Sequence, residues 1–144
     1  MQQILLAPLA AAASAQILKI IIKSNGLSWN LKSLTSYSGL PSSHAAMAVS
    51  LASSAGLTQG ADSPLFAVSV ILSFFVIRDA LGLRQYVGRQ GKTVNRLIAD
   101  LRRFKISLSD NYPELEEKVG HTPAQIMAGA VLGFLISLAA YYLL

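Results

Sequence analysis

Pro41-Ser42-Ser43-His44 is the point at which a polar loop becomes an apolar helix, since residues 45–49 follow it without a break. Serine is a preferred N-cap residue, and the fixed φ of proline suits a helix start. The first turn of a helix presents unpaired backbone N–H groups and the positive end of the dipole, which together form an anion site. His44 lies in that turn, and its imidazole can gain or lose a proton near neutral pH. The segment therefore predicts either an ordinary cap or a cap that also binds an anion.

The composition is that of a membrane protein. Of the 144 residues, 53% are hydrophobic and 13% are charged, whereas an ordinary soluble domain has about 25% charged residues. The mean hydropathy is +0.49. The formal net charge is +5, and most of the positive residues fall in one region between apolar stretches, which favours membrane topology over nucleic-acid binding. The absence of cysteine excludes disulfides, thiolate metal sites and a cysteine nucleophile.

Four apolar stretches predict transmembrane helices, because about 20 apolar residues cross a hydrocarbon core. They cover residues 4–22, 45–57, 65–83 and 123–144. The first stretch also resembles a signal peptide, with Ala13-Ser14-Ala15 as its cleavage site. It has no basic segment before it and continues past that site, which favours a retained helix. Lys19 lies near its end, where its stem can reach the interface.

The remaining patterns complete a helical bundle. The second stretch is rich in alanine and serine, which predicts a central helix, and Gly129 and Gly133 form a G-x-x-x-G face for close packing. Apolar residues recur at helical spacing between 94 and 104, which predicts an amphipathic helix. Whether residues 90–105 enter the membrane stays open. We predict an all-α polytopic membrane bundle, a single domain over residues 1–144, with about four transmembrane helices and one amphipathic helix before the last span.

The distribution of Lys and Arg predicts the orientation. Basic residues follow the first and third stretches, and none lies in the turn after the second. Four spans then place both basic loops in the cytoplasm and both termini outside. In this topology Pro41-Ser42-Ser43-His44, the segment 78–84 and Gly120-His121-Thr122-Pro123 all meet the same side of the membrane.

Two histidines and several cations at one membrane depth suit phosphoryl transfer. Arginine binds phosphate bidentately, one imidazole can attack phosphorus, and another can protonate the leaving oxygen. Structural interpretations stay open for each residue. Ser42 and Ser43 either cap the helix or contact a ligand, and Thr122-x-x-Gln125 has the pattern of a capping box. The other candidates could be interfacial or solvated groups: His121, Arg78, Asp79, Arg84 and Lys32.

The ordered motifs resemble the divergent branch of the type 2 phosphatidic acid phosphatases, which is related to acid phosphatases and vanadium-dependent haloperoxidases. The resemblance extends over nearly the whole chain. The motifs that carry it are Pro41-Ser42-Ser43-His44, the segment 78–85, Gly88-x-Gln90 with Asn95, and Gly120-His121-Thr122-Pro123 with Gly129 and Gly133.

The resemblance implies roles for individual residues. In the broader superfamily a P-S-G-H motif supplies a general-acid histidine, and an S-R-x5-H-x3-D motif supplies a nucleophilic histidine with its orienting aspartate. Carried over, His44 is the acid and His121 the nucleophile that forms a phosphohistidine. Ser42 and Ser43 would donate hydrogen bonds to the phosphate.

The chain departs from the superfamily pattern at two positions. Gln125 stands where the orienting acid belongs. As a candidate catalytic residue it can accept a hydrogen bond from an imidazole N–H and so fix the tautomer, but it carries no charge to stabilise an imidazolium. Asp79 is therefore the candidate substitute. Leu115 stands where the motif has arginine, so Arg78 or Arg84, together with Lys32, would bind the phosphate.

The resulting hypothesis is a membrane-embedded phosphatase that hydrolyses a lipid phosphate or pyrophosphate at the cytoplasmic face, with no metal or other cofactor implied. Phosphatidic acid, phosphatidylglycerol phosphate and polyprenyl phosphates are the substrates that the superfamily implies. The alternative is a non-catalytic lipid-phosphate binder or scaffold that keeps the pocket. The expected partners are membrane lipids and the lipid phosphate substrate, with no nucleic acid, and a homodimer stays open. The expected location is a bacterial inner membrane or a plastid membrane.

Overall fold

The computed structural model describes residues 2–22, 39–105 and 112–143, and all regular secondary structure in these ranges is helical. Five helices follow one another along the chain. They are α1 (Gln2–Ile21), α2 (Ser43–Gln59), α3 (Pro64–Leu81), α4 (Leu83–Arg103) and α5 (Pro123–Leu143). The predicted all-α bundle is therefore confirmed.

Local hydrogen bonds explain where the helices begin. The Ser42 hydroxyl caps α2 by accepting from the Ala45 amide at 3.3 Å, so Pro41 precedes the cap and lies outside the helix. At the start of α5 the Gln125 amide donates to the Thr122 hydroxyl at 3.3 Å, and the Gln125 side-chain oxygen accepts from the Thr122 amide at 3.0 Å. These two bonds are the predicted capping box.

Helix α2 occupies the centre of the bundle and packs against α1, α3 and α5. Its buried residues are all alanine or serine, which lets the neighbouring backbones approach closely. Two hydroxyls of α2 take part in a buried cluster with α5, because Ser50 and Ser54 lie 2.7 and 3.1 Å from the Ser137 hydroxyl. The predicted central position of this helix is confirmed.

The G-x-x-x-G face of α5 lies directly on α2. A Cβ atom at Gly129 would overlap the carbonyl oxygen of Ser42, and one at Gly133 would overlap that of Ala46. Only glycine therefore permits this approach, which brings the N-terminal ends of α2 and α5 together.

Three helical segments within the described ranges are long and apolar enough to cross a membrane: α1, the nearly continuous pair α3–α4 (Pro64–Arg103), and α5. Helix α2 has 17 residues, which corresponds to a length of about 25 Å. It is the shorter, fourth component of the bundle, beside the three segments just named.

Helix α4 is longer than the predicted amphipathic helix, since it starts at Leu83, directly after Gly82. The segment 112–119 lies alongside it without regular structure. The Asn95 side chain pairs with the backbone of Leu115, donating to its oxygen at 2.9 Å and accepting from its amide at 3.0 Å. This pairing fixes the course of the chain that leads to His121.

Candidate functional site

The imidazole rings of His44 and His121 face each other at one end of the bundle. Their centroids are 5.9 Å apart and their planes are inclined by 70°. His44 is the second residue of α2, and His121 precedes α5 by two residues. The N-terminal ends of two helices thus bring together two side chains that are 77 positions apart in sequence.

The junction of α3 and α4 holds His121 in place. Its backbone amide donates to the Ala80 oxygen at 3.1 Å, and its carbonyl oxygen accepts from the Gln85 side chain at 2.6 Å. Gly120 precedes it with a φ of 97°, and a Cβ there would lie 3.0 Å from the Gln85 backbone nitrogen. Glycine therefore allows the turn that directs the chain inward, and His121 is only 1% exposed.

The start of α2 is tied to the start of α5 on the other side of the pair. The Ser42 amide donates to the Gln125 carbonyl oxygen at 3.0 Å. This bond, together with the cap at Ser42, sets the position of His44.

Three ring nitrogens of the pair are buried and have no hydrogen-bond partner among the described residues. They are Nδ1 of His44 and both nitrogens of His121. A buried polar atom without a partner is uncommon and often marks a place where a ligand or water binds. The two rings are therefore available to a group lying between them.

Lys19 of α1 also belongs to this cluster, although the sequence predicted that it would extend to the membrane interface. That prediction is wrong, because Lys19 is 1% exposed and its Nζ donates to the Ser43 hydroxyl at 3.4 Å. Ala11 and Ala15, which are completely buried, precede it at intervals of four residues. This spacing places Lys19 on the inward face of α1, a signal that could have identified it.

Arg84 and Asp79 form an ion pair at the edge of the cluster. The Arg84 Nε donates to the Asp79 carboxylate at 2.6 Å, and both side chains are partly exposed. Both act electrostatically on His44. Within the described part of the chain, Asp79 forms its ion pair with Arg84 and none with an imidazole, so its position suits holding the guanidinium.

The electrostatic environment keeps His121 neutral. Burial lowers its pKa from 6.5 to about 4, and the positive charges of Lys19, His44 and Arg84 contribute in the same direction. At neutral pH an imidazole with such a pKa carries a free lone pair, which is the form that a nucleophile requires.

The other predicted site residues are distributed differently. Arg78 is exposed in the last turn of α3. The Gln125 side chain accepts from the Thr122 amide in the capping box and bonds to neither ring nitrogen of His121, so the structure does not place it as an orienting group. Ser42 caps α2, whereas Ser43 contacts Lys19. Lys32 lies outside the described residues.

No group of three or more His, Cys, Asp or Glu side chains within residues 2–22, 39–105 and 112–143 is arranged to hold a metal ion. The arrangement instead combines two imidazoles, a buried ammonium group and a guanidinium held by a carboxylate. Such a set can bind a phosphate, since cations and N–H donors complement its oxygens.

A helical membrane bundle with a paired-histidine, cationic site at one end is the class of protein that these observations define. A family model described as the divergent PAP2 family matches residues 1–136, and the chain belongs to this family. The chain is also similar to the uncharacterized membrane protein YuiD of Bacillus subtilis (strain 168). The two are 36% identical over an alignment that includes 96% of this chain and 93% of the relative. No solved structure matches the chain. The chain is thus an integral membrane protein.

Proposed function

We propose that this protein is a phosphatase that hydrolyses a lipid phosphate or pyrophosphate through a phosphohistidine intermediate. The observation that carries the proposal is the opposed pair of imidazoles, 5.9 Å apart, whose buried nitrogens have no partner among the described residues. Membership of the divergent PAP2 family supports the same reaction class.

His121 is proposed as the nucleophile because it is buried and its lowered pKa keeps it neutral. A ring nitrogen attacks phosphorus, the new P–N bond forms, and the bond from phosphorus to the leaving oxygen breaks. Protonated His44 donates its proton to that oxygen and becomes neutral. The negative charge of the bound phosphate favours the protonated form of His44 before the step.

Hydrolysis of the intermediate reverses the proton movement. Water attacks phosphorus while neutral His44 accepts a proton from it. The P–N electron pair returns to His121, and inorganic phosphate leaves. Both imidazoles are then in their starting states, so the cycle needs no other reactant.

Lys19 and Arg84 are proposed to bind the phosphate oxygens, with the Ser43 hydroxyl beside Lys19 as a further donor. Asp79 positions Arg84 through their ion pair. In this proposal Gln125 stabilises the start of α5 through its capping box, and no orienting carboxylate is assigned to His121.

The proposed site faces the cytoplasmic leaflet of a bacterial inner membrane. The basic residues of α4 support this side, since Lys and Arg accumulate in cytoplasmic loops. The bacterial relative supports the membrane type.

Phosphate release by the purified protein in detergent tests the proposal. The substrates are phosphatidic acid, phosphatidylglycerol phosphate, and prenyl phosphates and pyrophosphates. We expect the wild type to hydrolyse at least one of these lipids. The rate of phosphate release should fall by about 1,000-fold or more in His121→Gln and by a smaller factor in His44→Gln. Wild type should carry an acid-labile phosphoramidate that His121→Gln lacks, and vanadate should inhibit. Equal rates in all three proteins would remove the catalytic assignment.

A matched lysine pair tests the phosphate-binding role. Lys19→Met removes a buried charge from the site. It is expected to raise KM by about tenfold or more, which corresponds to the free energy that a hydrogen bond from a charged group contributes. Lys92→Met removes an exposed lysine of α4 and should leave KM near the wild-type value. Equal KM values in the two variants would exclude Lys19 from phosphate binding.

A second candidate function is a lipid-phosphate binder without turnover. It is favoured because neither ring nitrogen of His121 has an orienting partner among the described residues, and the Gln125 side chain, at the position of the expected acid, bonds to Thr122 instead. Gln125→Asp discriminates the two functions. A large rise from a near-zero baseline indicates that the natural protein binds without hydrolysis, whereas an active wild type that gains little supports the phosphatase.

A further inference from the structure

An apolar groove runs along the outside of the bundle between α1, α2 and α3. Its volume is about 330 Å³, which is at the lower end of the range for small-ligand sites. Leu9 of α1, Met47 and Leu51 of α2, and Leu72 and Val76 of α3 are among the residues that line it. Apart from His44, none of the described residues that line it has a role in the proposed phosphatase mechanism.

His44 connects the groove to the imidazole pair, because it lines the groove and also faces His121. Leu51 lies seven positions further along α2, so the groove extends about 10 Å from His44 along this helix. His121 does not line it. The groove therefore opens from the side of the pair at which His44 lies, away from the proposed nucleophile.

The groove offers almost no polar partners. Of the described residues that line it, only His44 and Ser73 have polar side chains. The Ser73 hydroxyl is already directed at the carbonyl oxygens of Ala48 and Ser69, each at 2.7 Å. An ester carbonyl placed in this groove would lose its hydrogen bonds to water without replacement, which is unfavourable.

We infer that the groove binds the hydrocarbon chain of a single-chain lipid phosphate, in which the chain is attached directly to the oxygen that leaves phosphorus. The inference rests on the proposed phosphatase function and specifies its substrate class. The chain occupies the groove, the phosphate lies between the imidazoles, and His44 stands where the two parts join. A diacylglycerol phosphate fits less well, because its two ester groups lie next to the phosphate and would therefore occupy the apolar groove.

This arrangement also explains why His44 is the general acid and His121 the nucleophile. The leaving oxygen carries the hydrocarbon chain, so it must lie on the groove side of phosphorus. His44 lies on that side and can protonate it, while His121 approaches from the opposite side. In-line displacement needs these two groups on opposite faces of the phosphorus.

The experiment compares kcat/KM for three probes in detergent: farnesyl phosphate, dimethylallyl phosphate and dilauroyl phosphatidate. We expect farnesyl phosphate to exceed the other two by about tenfold or more, since a short chain leaves the groove empty and a diacyl lipid fits it poorly. Met47→Trp fills the groove with an indole and should lower kcat/KM for farnesyl phosphate by about tenfold, with dimethylallyl phosphate changed by less than about twofold.

Met127→Trp is the matched control. Met127 is 63% exposed on α5 and does not line the groove. The same substitution there should therefore leave kcat/KM unchanged for all three probes. The inference is overturned if farnesyl phosphate and phosphatidate are cleaved equally well. It is also overturned if Met47→Trp and Met127→Trp have the same effect.

Thermal unfolding separates this inference from the proposed function, because a ligand stabilises the folded state that binds it. If the wild type releases no phosphate from these probes or from the other substrates of the wider panel, the phosphatase proposal fails. The groove is then still supported if farnesyl phosphate raises the unfolding temperature of wild type and of Met127→Trp more than that of Met47→Trp. Equal shifts in the three proteins exclude it.

Discussion

At the scale of single residues, His121 differs from an ordinary buried histidine. A structural histidine in a protein interior usually forms hydrogen bonds through its ring. Both ring nitrogens of His121 have no partner among the described residues, and the cations Lys19 and Arg84 lie near enough to lower its pKa. The protein thus keeps an unpaired imidazole beside positive charges. This arrangement is unfavourable while the site is empty and becomes favourable when an anion binds, because the anion balances the positive charges.

The pKa of His121 predicts how stability depends on pH. Its value is about 4 in the folded protein, against 6.5 for an unperturbed histidine. Between these values the unfolded chain binds a proton that the folded chain does not. The contribution of His121 to the free energy of unfolding is therefore fully present above about pH 6.5. It falls by up to about 3 kcal/mol as the pH decreases to about 4.

Thermal unfolding in a non-ionic detergent, followed from about pH 7.5 down to about pH 4, measures this effect. His121→Gln should show a shallower decrease over the same range, because its side chain does not titrate. Identical pH dependence in the two proteins would contradict the assignment of the low pKa to His121.

At the scale of helices, the contact between α2 and α5 aligns the site. Ser42 links both helices, since it caps α2 through its hydroxyl and bonds to Gln125 of α5 through its amide. Gly129 lies against the carbonyl oxygen of the same serine. A change in the spacing of these helices would therefore move His44 relative to His121.

Gly133→Ala tests this contact. The added Cβ would overlap the backbone of Ala46, so we expect a loss of about 1–3 kcal/mol despite the better helix propensity of alanine. Gly56→Ala is the control, because the nearest atoms to its Cβ would belong to the ring of Phe66, at 3.0 Å, and a side chain can shift. Unfolding temperature in detergent is the measurement. An equal loss in both variants would mean that α2 and α5 do not pack as closely as described.

At the scale of the whole molecule, the number of membrane crossings determines which side the site faces. Helix α2 is short and is surrounded by α1, α3 and α5, so neighbouring helices rather than lipid cover most of it. If α2 and α3 both cross, the turn between them lies on one side of the membrane, and the start of α2 and the basic helix α4 lie on the other. The charge distribution predicts this arrangement, with α4 in the cytoplasm.

Cysteine labelling tests the topology, and the chain contains no cysteine of its own. Asp62 and Lys92 are both exposed, in the turn after α2 and on α4. In intact cells a membrane-impermeant maleimide is expected to label Asp62→Cys, and to label Lys92→Cys only after permeabilisation. Labelling of both from the same side would show that α3 does not separate them across the membrane.

The sequence by itself determined the features that depend on neighbouring residues. Apolar length identified helical segments that are long and apolar enough to cross a membrane. Hydroxyls at helix starts identified the caps, including the bonds between Thr122 and Gln125. The common location of His44 and His121 followed from the order of the helices, because each imidazole precedes or begins a helix that enters from the same side. These properties are local, or follow from the direction of the chain.

Only the tertiary structure decided which charged groups accompany the histidines. Lys19 is buried because α1 turns its alanine face toward the bundle. Asp79 pairs with Arg84 across Gly82, where the helical conformation is interrupted. The distance between the rings, and the groove that leaves from His44, also depend on how closely separate helices pack. Helix length and capping follow from residues a few positions apart, whereas contacts between distant segments follow from the shapes that all the side chains present together.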